Sequence, residues 1–73
     1  MLLTNLPQKS NGKITGLTAK GKQRRRLLDL GLIPGTTVVA KRKSPSGDPI
    51  AYLIRGTVLA LRKEETDLVK VSL

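Results

Sequence analysis

Arg25-Arg26-Leu27-Leu28-Asp29-Leu30-Gly31-Leu32-Ile33-Pro34-Gly35-Thr36 is the stretch on which the fold turns. At about 100° per residue, Leu27, Leu28 and Leu30 gather on one side of a helix, with Lys22, Arg25, Arg26 and Asp29 on the other. Arg24 falls near the apolar side, where it must lay its stem along the protein body and push its guanidinium out. Gly31 offers the left-handed conformation that commonly ends a helix, and Pro34-Gly35 suits the central pair of a type II turn. The expected course is a short helix over 22–30, a stop, and a sharp reversal into a strand.

Upstream, 12–17 reads as a first strand with Ile14 inward, and 18–20 as a loop. The apolar lead-in 2–6 is ended by Pro7; packing on the body and forming part of a docking surface are both open to it. Downstream, 36–43 is a β-branched strand that turns basic at Lys41, Arg42 and Lys43. Alternation there places Lys41 and Lys43 on one face and Arg42 on the other, blunting a sheet edge. The loop 44–49 holds two prolines and the turn-forming run Gly47-Asp48-Pro49, too long for a two-residue hairpin. Then come a strand over 50–54 with Ile50, Tyr52 and Ile54 on one side, a tight Arg55-Gly56 connection, a strand over 57–61, a polar turn over 62–67, and a closing run with Val69, Val71 and Leu73 on one face. Five short strands with one helix after the first predict a mostly β fold: a small, partly closed antiparallel barrel of SH3-like type, with residues 1–73 as one domain.

Composition narrows the chemistry. Among 73 residues there is no His and no Cys, which removes the commonest general base, the commonest metal ligand and the thiolate nucleophile. Disulfides and a zinc site of the cysteine type are excluded with them. Five carboxylates remain, Asp29, Asp48, Glu64, Glu65 and Asp67, and one phenol, Tyr52. The expectation is a binding protein that is not an enzyme, with no cofactor and no metal site; Glu64, Glu65 and Asp67 read as a solvated acidic turn. No apolar run approaches the roughly 18 residues of a membrane span, so a soluble, untargeted protein is expected; the absence of cysteine fits a reducing cytoplasm, and a monomer is the expected state.

Fourteen Lys and Arg against five Asp and Glu give a net charge of +9, which favours an anionic partner. Lys20, Lys22, Arg24, Arg25 and Arg26 crowd the start of the helix, where the macrodipole already presents positive charge and each cation is unfavourable by a few tenths of a kcal/mol. Violations of a local rule tend to sit at functional sites, and this cluster is the candidate partner-binding surface. A second motif leads nowhere. Gly16 to Lys22 fits G-x-x-x-x-G-K between a strand and a helix, but Gln23 stands where a phosphate-binding loop needs the hydroxyl that holds Mg²⁺.

Three ordered motifs resemble the FeoA family of bacterial ferrous iron uptake: the Arg25 to Thr36 stretch, the proline-bounded loop Ser44-Pro45-Ser46-Gly47-Asp48-Pro49-Ile50, and Leu59-Ala60-Leu61-Arg62 ahead of an acidic turn and a closing valine strand. Gly31, Pro34, Gly35, Gly47, Asp48 and Pro49 are its signature turns in this chain. Departures are small: Ser46 stands where a larger apolar residue is usual and Thr66 where Ala is usual. The resemblance implies an SH3-like accessory protein that acts on the membrane iron transporter FeoB at its cytoplasmic part. Iron enters this reading only through the family. The competing class is a basic nucleic-acid-binding barrel; a lone Tyr52 supplies no stacking platform for bases, which leaves backbone contacts alone. Attachment to anionic lipid through the basic cluster is a third and weaker alternative.

Overall fold

The computed structural model describes residues 1–73. Strands β1 (Asn11–Leu17), β2 (Thr37–Lys43), β3 (Ile50–Ile54), β4 (Thr57–Leu61) and β5 (Val69–Ser72) form one antiparallel sheet in the order β4-β3-β2-β1-β5. Helix α1 (Gly21–Asp29) follows β1, a single turn α2 (Lys63–Thr66) precedes β5, and a 3₁₀ turn (Leu3–Asn5) opens the chain. This is the mostly β arrangement expected from the sequence, with its helix where the apolar side of 27–30 placed it.

The core forms where strand alternation and the helix meet. Ile50, Tyr52 and Ile54 point inward from β3, as their period of two requires, and join Ile14, Val38, Ala40, Leu61, Val69 and Val71 from the other strands. Leu27 is the helix's fully buried contribution, while Leu28 and Leu30 are half-buried. Each aliphatic side chain fully withdrawn from water contributes about 1.5–3 kcal/mol, and with one aromatic residue in the chain this core depends on many such contributions.

The helix ends as its sequence dictates. Gly31 has φ +101°, and its N–H donates to Leu28 O at 3.0 Å while Leu32 N–H donates to Leu27 O at 3.0 Å. These are the two bonds of a Schellman motif, and Leu27 and Leu32, both fully buried, make the apolar contact that accompanies it. Gly35 follows with φ +94°, and Thr36 N–H bonds Ile33 O at 3.0 Å, which closes the type II turn about Pro34-Gly35.

Two features differ from simple strand alternation. Ala40 pairs with Tyr52 but Arg42 with Ala51, so Lys41 is an extra residue, a bulge. The expected sharing of a face by Lys41 and Lys43 therefore fails: Lys43 lies opposite Ile50, Arg42 opposite Ala51, and all three cations are exposed. A second bulge between Ile14 and Gly16 lets both Ile14 and Leu17 face β5 valines, Val71 and Val69.

The lead-in packs. Leu3 and Leu6 are buried in the core, Leu2 bridges Lys70, and Met1 and Val71 exchange backbone hydrogen bonds at 2.8 and 3.0 Å. The first residues thus cover the outer edge of β5. Thr4 ties this segment to the end of α2: its hydroxyl donates to Asp67 Oδ1 at 2.5 Å and accepts from Thr66 Oγ1 at 2.7 Å. Thr66 is buried and uses its hydroxyl here.

Candidate partner-binding surface

Lys20 sits just ahead of α1 in extended conformation, φ −133° and ψ 161°, and its side chain makes no cap hydrogen bond. Lys22, Arg24, Arg25 and Arg26 follow within the helix, and all five cations are exposed. No acidic residue occupies the first turn, so nothing offsets the crowding of Lys20 and Lys22 against the positive helix end.

The structure divides the cluster. Arg24 lays its side chain back and donates from Nη1 to Leu17 O at 3.3 Å, so its guanidinium is turned to the end of β1. Arg25 lies 3.7 Å from Asp29 one turn on, with both side chains mostly in water, an exposed pair of small energetic weight. Arg26 reaches across to Glu65 on α2 and holds its carboxylate, whose side chain is only 13% exposed. Lys20 and Lys22 have no carboxylate within 4.0 Å. The cluster therefore has a structural half, Arg24 and Arg26, that sequence reading did not separate from the free half. Contacts between residues 39 positions apart leave no mark in local sequence.

The acidic turn is likewise occupied and not simply solvated. Glu65 Oε1 accepts from the N–H of Arg62 at 3.3 Å, which is the carboxylate half of a capping box. Arg62, standing at the cap position, has no acceptor side chain to complete it. Asp48, 15 residues before Lys63, instead satisfies the first N–H of the turn: its Oδ1 accepts the Lys63 N–H at 2.8 Å and its Oδ2 lies 3.8 Å from Arg62. Asp48 is more than a turn former, and the loop that carries it, with Gly47 at φ +88° and a cis Asp48–Pro49 bond, presents its carboxylate to the start of α2.

Asp67 accepts from Thr4 and from Lys63 Nζ at 3.0 Å; the Thr4 hydroxyl foremost, then Lys63, holds its carboxyl below the usual value, against a small opposing effect of burial. Burial pushes the Tyr52 phenol up, with the Thr66 hydroxyl pulling back and the Asp48 carboxylate adding to the rise. The ring of Tyr52 is wholly buried, so the one aromatic side chain has no face to offer a nucleobase. Between α1, α2 and the end of β4 lies a cleft of about 530 Å³ lined by Gln23, Arg26, Pro49, Ala60, Arg62, Glu64 and Glu65.

The segment fitting G-x-x-x-x-G-K is tied down instead of forming a cradle. Thr18 N–H donates to Leu68 O at 2.9 Å, Ala19 is buried, and β1 is antiparallel to both its neighbours. A phosphate-binding loop sits at the end of a parallel strand with its N–H groups free.

Sheet order, bulges and the helix inserted after β1 define a class, the small SH3-like β domain, here carrying a basic helix on its surface. The chain belongs to the FeoA family: the family's FeoA domain matches residues 1–73. It is 29% identical over its whole length to part of an Fe(2+) transport protein A/Fe(2+) transporter FeoB fusion protein of Porphyromonas gingivalis, of which it spans 9%. It superposes on the solution structure of iron(II) transport protein A from Clostridium thermocellum with a TM-score of 0.96 at 32% identity, covering all of this chain and 45% of that one. Against Stenotrophomonas maltophilia FeoA complexed with zinc, described as a procaryotic SH3 domain protein, the TM-score is 0.87 at 30% identity, covering 99% of this chain and 89% of the other.

Proposed function

We propose that this chain is an accessory protein of ferrous iron uptake that binds the cytoplasmic part of the FeoB transporter without catalysing a reaction, and that the free cations at the start of α1, Lys20 and Lys22, make the contact. One observation carries the reading: in Porphyromonas gingivalis a segment similar to this whole chain is covalently joined to FeoB. A fused arrangement holds two partners at high effective concentration, which replaces the affinity that separate chains need. Lys20 and Lys22 fit the role because they have no partner inside the molecule and stand where the helix's own field disfavours them. An acidic partner face relieves that penalty and speeds encounter, at a salt-dependent rate.

Co-purification of this protein with the cytoplasmic part of its own organism's transporter tests the reading. Association is expected to weaken with rising salt and with reversal of charge at Lys20 and Lys22. Absence of association at low salt in every nucleotide state of the transporter would reject it.

A further inference from the structure

The two edges of the sheet are treated differently. The edge of β5 is covered by Met1 and Leu2. Strand β4 pairs with β3 alone, and no backbone hydrogen bond outside that ladder involves residues 57–61. Its sequence, Thr57-Val58-Leu59-Ala60-Leu61, carries none of the usual protections of an exposed edge: no charge, no proline and no bulge.

Pairing register identifies which groups are free. Arg55 and Gly56, both at positive φ, form a two-residue connection, so the Ile54–Thr57 pair that flanks it is hydrogen-bonded. Alternation along the ladder makes Tyr52–Leu59 and Ile50–Leu61 hydrogen-bonded as well. Leu53–Val58 and Ala51–Ala60 are the non-bonded pairs, and the N–H and C=O of Val58 and Ala60 point away from the sheet. Their side chains lie on its outer face. There Val39, Leu53 and Val58 form one cross-strand row that ends at Val58, 59% exposed, and Arg42, Ala51 and Ala60 form the next.

We propose that β4 is a strand-addition site, taking an extended segment of another protein with apolar side chains at alternate positions and carboxylates flanking them. The backbone of Val58 and Ala60 supplies the hydrogen bonds, and the Val39–Leu53–Val58 row supplies apolar contact on alternate residues. Charge selects the occupant. Arg55 and Arg62 bracket the strand, Arg42 stands on the outer row, and neither Arg42 nor Arg55 has a carboxylate within 4.0 Å. A second copy pairing antiparallel along β4 would bring Arg55 of one chain towards Arg62 of the other, on molecules that each carry a net charge of +9. An acidic segment meets the same cations favourably. The site is distinct from the free lysines of α1 and does not depend on which protein they bind.

The probe is a blocked peptide of about ten residues, alternating Val and Thr at its centre with two Glu at each end, and the same peptide N-methylated at alternate central residues. Backbone amide exchange is followed by NMR on the full chain. With the first peptide, exchange at Val58 and Ala60 is expected to slow by about tenfold or more, while the N-methylated peptide leaves it unchanged. Ala60→Pro removes an outward N–H without touching the β3 ladder and is expected to weaken binding by about tenfold. Val58→Asp, which breaks the apolar row at its exposed end and repels the carboxylates of the peptide, serves the same purpose if the proline variant is poorly folded. Unchanged exchange at Val58 and Ala60 with millimolar peptide would overturn the proposal, as would equal binding of the two peptides, or protection of those amides by self-association at high protein concentration.

Discussion

Thr4 and Asp67 show how much one hydroxyl organises. Thr4 bonds both Thr66 and Asp67 and so fastens the first residues of the chain to the turn before the last strand. Replacing Thr4 by Val is expected to cost about 1 kcal/mol near neutral pH, read as a lower thermal midpoint. The loss should depend on pH. Because the folded-state value of Asp67 is depressed, the stability it contributes is complete above its ordinary value of 3.8 and disappears as pH falls through the lower folded value. The gap between wild type and Thr4→Val therefore narrows on acidification below about pH 4, to the part that the Thr4–Thr66 bond supplies, and carboxyl NMR of the variant should find Asp67 titrating closer to 3.8. Tyr52 acts at the other end of the scale. Its raised folded value means stability is intact below the ordinary phenol value of 10.0 and falls as pH rises through the folded one, and Tyr52→Phe should flatten that alkaline loss.

Among the elements, α2 is a single turn that cannot sustain itself and depends on two distant carboxyl contacts. Asp48 receives the Lys63 N–H, and Arg26 holds Glu65. Asp48→Ala should cost about 1 kcal/mol, as loss of a helix N-cap does. Arg26→Gln should cost about 1–2 kcal/mol, because it leaves a mostly buried carboxylate without its cation. Both are measurable by urea unfolding. Gly31→Ala places a side chain at φ +101° and within 3.4 Å of Ile54 Cγ2, and is expected to destabilise by about 1 kcal/mol or more. The elements themselves were legible because their signals are local: alternation at Ile50, Tyr52 and Ile54, the leucines at 27, 28 and 30, and Gly31 and Pro34-Gly35 at the reversal. The bulge at Lys41 was not, since an extra residue shows only against the partner strand. The dual duty of Asp48 and the division of the arginine cluster were hidden for the same reason. Contacts between residues 15 and 39 positions apart belong to the folded chain and not to any window of sequence.

Across the whole molecule, the excess of positive charge is unevenly committed. Arg24, Arg25 and Arg26 have partners within the protein, while Lys20 and Lys22 have none. A partner face is therefore expected to be felt at the two lysines first, and variants of Arg26 are poor probes of binding because they also loosen α2. Lys13 and Lys70 lie on β1 and β5, exposed and without carboxylate partners, so reversing both changes the net charge by as much as reversing Lys20 and Lys22. The most direct measurement is calorimetric titration of the cytoplasmic part of the organism's own FeoB with wild type, Lys20→Glu/Lys22→Glu and Lys13→Glu/Lys70→Glu at about 0.15 M salt. The account predicts binding by wild type, a loss of about tenfold or more for the α1 pair, and a much smaller loss for the strand pair. No binding by wild type, or equal losses in the two variants, would contradict it.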